Sequence, residues 1–252
     1  MGVCHGVIRR IAPDVPIVDV SHGITRHGVR HGALVLAASL PYMPVGVHMA
    51  VVDPQVGTER RAVALRCGDG RLLVGPDNGL LSLAWQRAGG VAEAVDVSRS
   101  PHRLEPVSAT FHGRDLFAPV AAHLANGAEL ADAGDPLDSD ELVALELPSP
   151  RVADGAVLAH ALVIDGFGNV ALDIQHHHLL ELGLVLGSPV AVRASHLERR
   201  ATFVQTFADV PPGELLLYED AWGAVALAVN RGDAAAELAL SVDDELRIAP
   251  AP

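Results

Sequence analysis

Apolar positions along the first part of the chain switch between a helical and a strand rhythm. Val3, Val7, Ile8 and Ile11 share one helical face over residues 2–11, and residues 29–40 keep the same period. Between them, residues 16–20 read as a short apolar strand. A second, buried strand over 47–52 ends on the polar stretch 53–60. Strands follow at 62–66 and 72–74, before the turn Pro76-Asp77-Asn78-Gly79. Helical periods return over 81–87 and 115–124, the latter with Gly127 as a C-terminal stop. Strands alternating with helices predict an α/β domain with a largely parallel sheet.

From 130 to 154 the composition turns to Asp, Ser, Glu and Pro, with Pro136, Pro148 and Pro150, as in a connection between domains. This divides the chain into domains 1–150 and 151–252. Beyond it, strand patterns crowd together at 157–164, 170–174, 190–192, 202–207, 214–218, 225–229 and 246–248, with one short helix near 177–182. Such spacing predicts a compact, mostly antiparallel sandwich or β-barrel-like domain.

Composition narrows the setting. No apolar run approaches the roughly 18 residues that span a bilayer; the longest, 33–40, stops at Pro41. The N-terminus has no charged segment followed by an apolar one, so no secretory signal is expected. Cys4 and Cys67 are too few for a disulfide framework and read as reduced, apolar residues of a cytoplasmic protein. The formal charge of −13, with no basic block, argues against nucleic acid and against anionic membrane surfaces, and suits a small cationic ligand.

The candidate chemistry sits where apolar strands end in polar loops, since open α/β sheets bind ligands there. In Val51-Val52-Asp53-Pro54-Gln55-Val56-Gly57-Thr58-Glu59-Arg60, a carboxylate leaves a buried strand and a guanidinium follows seven residues later. In Thr110-Phe111-His112-Gly113-Arg114-Asp115, a histidine precedes a helix, whose positive end keeps the imidazole neutral. In Ile164-Asp165-Gly166-Phe167-Gly168-Asn169, two glycines permit close approach, Phe167 offers a stacking face and Asn169 an amide. Each also has an ordinary structural reading: a Pro turn, a helix cap, a hairpin corner. His176-His177-His178 is read as a solvated helix start, because adjacent residues do not share a helical face. No metal site is assigned. Phosphate-loop, nucleophile-elbow and dinucleotide-binding patterns are absent.

These loops, with Val18-Asp19-Val20-Ser21-His22-Gly23-Ile24, Gly75-Pro76-Asp77-Asn78-Gly79-Leu80-Leu81 and Leu116-Phe117-Ala118-Pro119, fall in order over nearly the whole chain. The set resembles the S-adenosylmethionine (SAM) hydroxide adenosyltransferases, relatives of the fluorinase and chlorinase enzymes. The resemblance implies an N-terminal α/β domain, a C-terminal β-barrel-like domain and a homotrimer. It places the ligand between one subunit's first domain and a neighbour's second. It assigns the catalytic triad to Asp53, Arg60 and His112, adenosine contacts to Asp165, Phe167 and Asn169, and the methionine end to the loop holding Asp220 and Trp222, with Asn230 nearby. SAM is the implied substrate, and no cofactor is implied.

Three departures stand out. Gln55 replaces the glycine of the family's Asp-Pro-Gly-Val-Gly loop. The methionine loop reads Asp-Ala-Trp-Gly instead of Asn-Ser-x-Gly. The family's opening Thr-Asp-Phe-Gly strand, which gives a carboxylate to the ribose hydroxyls, has no counterpart, because the sequence starts inside the helix that comes next. The expected reaction is attack of water on ribose C5′, releasing adenosine and L-methionine. His112 would act as base, oriented by Asp53, with Arg60 holding the developing hydroxide or fixing Asp53. The alternatives are a halogenase on the same scaffold, disfavoured by the Asp53 carboxylate, and a non-catalytic adenosine- or SAM-binding trimer.

Overall fold

Two of the predicted helices, α1 (Gly2–Ile11) and α2 (Val29–Ser39), stand at the start of the computed structural model, which describes residues 2–251. Each buries a narrow stripe, Val7 in α1 and Ala33, Leu36 and Ala37 in α2. Residues 16–20, expected as a strand, pair with no strand among the described residues, and Val18 and Val20 point into solvent. An apolar run without a sheet neighbour cannot satisfy its backbone groups as a strand.

The chain divides into two units between Leu145 and Glu146. In the first, β1 (Val47–Met49), β2 (Ala62–Cys67), β3 (Leu72–Pro76), β4 (Val91–Asp96) and β5 (Asp135–Pro136) form a sheet in the order β1-β3-β2-β4-β5. Only β1 and β3 run parallel; the other three pairings are antiparallel, so the sheet is mixed where a largely parallel one was expected. The cause is local. β2 and β3 are joined by the turn Gly68-Asp69-Gly70-Arg71, and so short a link allows only an antiparallel pair. The short α3 (Ser82–Arg87) leads to β4, a strand the apolar pattern did not announce because Glu93 interrupts it.

Alternate residues of the sheet bury opposite ways. Leu65 and Leu73 pack with Leu36, Leu80 and Leu81, while Ala64 and Val74 pack with Phe117, Val120 and Leu124. The latter three come from a π turn, Gly113–Phe117, and the helix α4 (Ala118–Ala125) that continues it. Full burial of each such leucine or valine stabilises the unit by about 1.5–3 kcal/mol. Helices on both faces hold the sheet rigid, and the loops leaving its strands inherit that rigidity.

The second unit contains β6 (Arg151–Ala153), β7 (Ala156–Ile164), β8 (Val170–Leu172), α5 (His176–Glu181), β9 (Pro189–Ala194), β10 (Leu197–Phe203), β11 (Leu215–Glu219), β12 (Val225–Val229), α6 (Ala234–Leu238) and β13 (Glu245–Pro250). Strands β7 to β13 close into a seven-stranded barrel, because β13 pairs with both β9 and β7, and β6 adds to β7 outside the ring. The pairings are antiparallel except β10 with β11. Val157, Leu172, Phe203, Leu217, Leu227 and Ile248 fill the interior. Among the described residues, no helix is long and apolar enough to cross a membrane.

Candidate active site

Asp53 leaves the carboxyl end of β1, beside its parallel neighbour β3. The turn after β3 reaches back, with Asn78 Nδ2 donating to the Val52 carbonyl at 3.0 Å. From there the chain winds tightly. The Gln55 carbonyl accepts from the Thr58 amide and hydroxyl at 3.1 and 2.7 Å, and the Thr58 hydroxyl accepts from the Arg60 amide at 3.3 Å. The coil returns Arg60 to Asp53. Its Nε donates to Asp53 Oδ1 at 3.0 Å, its Nη2 to Asp53 Oδ2, and its Nη1 to the Arg61 carbonyl at 3.1 Å. Both side chains are only 5% exposed. A buried charge needs such a partner, and the two-point geometry fixes which edge of the guanidinium meets the carboxylate.

His112 comes from a loop 52 residues further along, and its Nδ1 lies 3.2 Å from Arg60 Nη2. The structure thus brings all three predicted catalytic residues together, with Arg60 in the middle: the guanidinium, not the Asp53 carboxylate, touches the imidazole. A guanidinium only donates, so Nδ1 accepts and the neutral ring carries its proton on Nε2. Burial, and then the Arg60 charge, hold the His112 pKa below its usual 6.5, while Asp53 and Asp115 pull weakly the other way. The loop is anchored by the buried Asp115, which accepts from the Ser108 amide at 2.9 Å and from the Arg114 guanidinium.

Gly57 lets the two loops meet. Its φ is +80°, and a Cβ there would lie 2.5 Å from the Ala109 carbonyl oxygen, backbone of the His112 loop. Gly57→Ala is therefore expected to push Asp53 and Arg60 away from His112. Turnover should fall by about 10²-fold and the melting temperature by several degrees, since an alanine at that φ costs roughly 1–2 kcal/mol before the clash. Steady-state rates and thermal melts of the variant check this.

Within the first unit, a cavity of about 960 Å³ runs from Ile8, Val35 and Met49 to a polar end with Asp19, His22 and Asp53. Asp19 Oδ1 sits 2.9 Å from both His5 Nε2 and His22 Nε2, and these hydrogen bonds, His22 first, draw its pKa below the usual carboxylate range.

In the second unit, Asp165, Phe167 and Asn169 lie in the turn between β7 and β8. Asp165 Oδ1 accepts from the Phe167 and Asn169 amides at 2.8 and 2.9 Å, and Oδ2 accepts from Asn169 Nδ2 at 2.9 Å. The carboxylate shapes the turn and holds Phe167 outward, 82% exposed. Gly168, at φ +83°, is pressed against Asp233, the N-cap of α6, whose Oδ1 would lie 2.1 Å from an added Cβ. Asp220 shapes the β11–β12 turn, accepting from the Trp222 and Ala224 amides, and Trp222 is half exposed.

Asn230 is not in that neighbourhood. It follows β12 at the opposite end of the hairpin, its amide bonded to the Glu214 carbonyl and its Nδ2 donating to Val210 O at 2.7 Å. Five residues of strand separate the two ends, about 17 Å. Asn230 instead lines a cavity of about 570 Å³ with Phe207, Val210, Pro211 and Arg231. Phe207, exposed and tilted 4.9 Å from the Tyr218 ring, was not singled out from the sequence. A signal existed: of five phenylalanines, the three exposed ones, Phe111, Phe167 and Phe207, all sit at the loops and cavities described here.

The three adjacent histidines do not share one site, although the His177 and His178 rings lie 3.8 Å apart. His178 accepts from the Gln175 amide to cap α5, and His176 turns to Glu219. Among the described residues, no group of three or more His, Cys, Asp or Glu side chains is arranged to hold a metal ion.

Known proteins place this geometry in a family. The profile of the SAM hydroxide adenosyltransferase N-terminal domain matches residues 1–134, and that of the C-terminal domain matches residues 159–247. The chain is 48% identical over 249 residues to the (R)-S-adenosyl-L-methionine hydrolase of Salinispora tropica, covering 98% of this chain and 92% of that one. It is 33% identical over 260 residues to the fluorinase of an Actinoplanes species, covering 90% and 85%. A solved structure of a conserved protein from Thermotoga maritima superposes with a TM-score of 0.89 at 37% identity, covering 98% and 94% of the two chains. Matched over most of its length, with the Asp53–Arg60–His112 group assembled, the chain belongs to the SAM hydroxide adenosyltransferase family.

Proposed function

We propose that this protein hydrolyses S-adenosyl-L-methionine to adenosine and L-methionine. The observation that carries the proposal is the buried Asp53–Arg60 pair with His112 docked on it. Water forms the C5′–O bond as the C5′–S bond breaks; the electron pair goes to sulfur and discharges the sulfonium, and the proton of the water leaves to solvent. The leaving thioether needs no acid, so catalytic help belongs at the nucleophile.

The bonding pattern defines that help. With Nδ1 taken by Arg60, His112 has Nε2–H left as a donor for the oxygen of water or hydroxide. For His112 to serve as base at Nε2, the ring would have to carry its proton at Nδ1, facing the Arg60 N–H groups. Holding the oxygen in place supplies orientation and charge stabilisation, the two large terms in such a displacement. A halide is less suited, because the Asp53 carboxylate lies behind the same guanidinium.

In the second unit, the exposed Phe167 offers a stacking face to a purine, and the half-exposed Trp222 a face for a cation or thioether. We read the enzyme as a cytoplasmic homotrimer without cofactor, whose subunits complete one another's sites, acting on neither nucleic acid nor membrane. Incubation with SAM, with and without chloride, followed by separation of the nucleosides, tests the activity. Adenosine in both supports hydrolysis, chlorinated adenosine would make it a halogenase, and no turnover would leave a binding protein.

A pH dependence follows. Protonating His112 puts Nδ1–H against the Arg60 donors and breaks their contact. Because the ring's pKa is lowered, turnover is expected to stay level through neutrality and to fall only as the pH drops below 6.5. The kcat–pH profile checks it; an acid limb lying above 6.5 would contradict the assignment.

A further inference from the structure

Besides Asp53, the Arg61 carbonyl and His112, Arg60 has a fourth neighbour that hydrolysis as outlined above does not use: its Cζ lies 5.3 Å from the centroid of the Phe117 ring, which is fully buried. Phe117 ends the π turn that His112 begins. In an α-helix, residues five apart point about 140° away from each other, whereas the wider π turn brings them nearer to one side. His112 and Phe117 both reach the same guanidinium, the imidazole at Nη2 and the ring face toward Cζ.

The reason for the π turn is in the sequence. The Ala118 amide bonds five residues back, to the Gly113 carbonyl. Pro119 has no N–H to offer the Asp115 carbonyl four residues earlier, and that carbonyl accepts instead from the Leu104 amide at 2.8 Å. The ring lies in an apolar cluster with Leu116, Val120 and Val95. A cation over an aromatic face is worth most in such a dry setting. The bonds to Asp53 and to the Arg61 carbonyl hold the guanidinium by its edges, and a tilt of its plane about that line of bonds would swing Nη2 off His112 Nδ1. The aromatic floor removes that freedom.

We propose that Phe117, presented by the π turn, is a positioning residue for the reaction: its ring face holds the Arg60 guanidinium in the plane that keeps Nη2 on His112. The proposal rests on the reading of Asp53, Arg60 and His112 as the catalytic group.

The test replaces Phe117 with mono-, di- and trifluorinated phenylalanine in the full-length protein. Fluorination drains the negative face of the ring and barely changes its shape. With SAM as substrate, kcat should fall stepwise, by roughly tenfold at the trifluoro stage, while KM and the melting temperature hold. The acid limb of the kcat–pH profile should move upward as Arg60 loosens from His112. A kcat indifferent to fluorination, or one that falls only in step with the melting temperature, overturns the proposal. Arg60→Lys separates the two layers. If it loses turnover while fluorination has no effect, the catalytic group stands and the aromatic floor falls. If it keeps full turnover, the catalytic reading falls and takes this proposal with it.

Discussion

His112→Ala is expected to lower SAM turnover by about three orders of magnitude while leaving SAM binding and thermal stability close to wild type. Its side chain is only partly buried, and the hydrogen bond lost is to a guanidinium that keeps its Asp53 partner. Arg60→Ala should lose turnover to the same degree and also melt on the order of 10 °C lower. Removing it strands the Asp53 carboxylate, 95% buried, at a cost of about 3–5 kcal/mol in a domain-sized unit. The joint variant Asp53→Ala/Arg60→Ala should then be more stable than Arg60→Ala alone, since it removes both charges. In turnover, the double and triple variants should be hardly worse than the singles, as in any group that acts as a unit. Single-turnover rates and melts over this set check both halves. Near-normal turnover in the three single variants would remove the catalytic assignment.

The second large effect concerns the outer edge of β1. Among the described residues this strand pairs on one side only, with β3, and the Nε2 of His48 within it is buried without a hydrogen-bond partner. Val47, His48 and Met49 form one wall of the 960 Å³ cavity, with apolar residues of α1, α2 and α4 on the other sides. An apolar trough beside an open strand edge has the shape and the hydrogen-bonding groups to accept one more strand. A chain lengthened upstream to carry a Thr-Asp-Phe-Gly strand is expected to fill it, melt several degrees higher, and bind SAM about 10–100-fold more tightly. The affinity gain comes from a carboxylate placed on the ribose diol at the polar end of the same cavity. Calorimetric titration and melting of both chains decide the matter. Equal affinity would transfer the diol to Asp19, whose carboxylate is bonded to two histidines and lines that end.

How much of this was legible depended on whether the information was local. The helices α1 and α2, the strands β2 and β3 and the barrel strands follow from apolar period. Asp53, Arg60 and His112 could be placed on loops because their motifs are contiguous. The direction of the first sheet was less visible, because strand and helix periods do not encode pairing, and the deciding feature was the four-residue turn at Gly68. Residues 16–20 looked like a strand from composition alone, but a strand also needs an edge to pair with. The order within the triad was hidden too. The expected mechanism set Asp53 against His112, whereas the returning coil of Gln55–Thr58–Arg60 hydrogen bonds puts the guanidinium between them. Phe117 touches Arg60 across 57 positions through a π turn, a combination no periodicity announces. Asn230 was grouped with Trp222 by nearness in the chain, and the length of one hairpin parts them.

The closure of the barrel sets an order of events during synthesis. β7 can find β8 as soon as both have left the ribosome, but its other edge pairs with β13, more than eighty residues later. The ring cannot shut until residues 245–250 are available, so most of the second unit waits as an open sheet while the first unit is already complete. Contacts this distant in sequence slow folding, and the waiting sheet exposes the edges of β7 and β9 to other chains. A break in translation just before Glu245 would remove one strand of thirteen yet leave two unpaired edges, turning a closed barrel into a species prone to strand exchange.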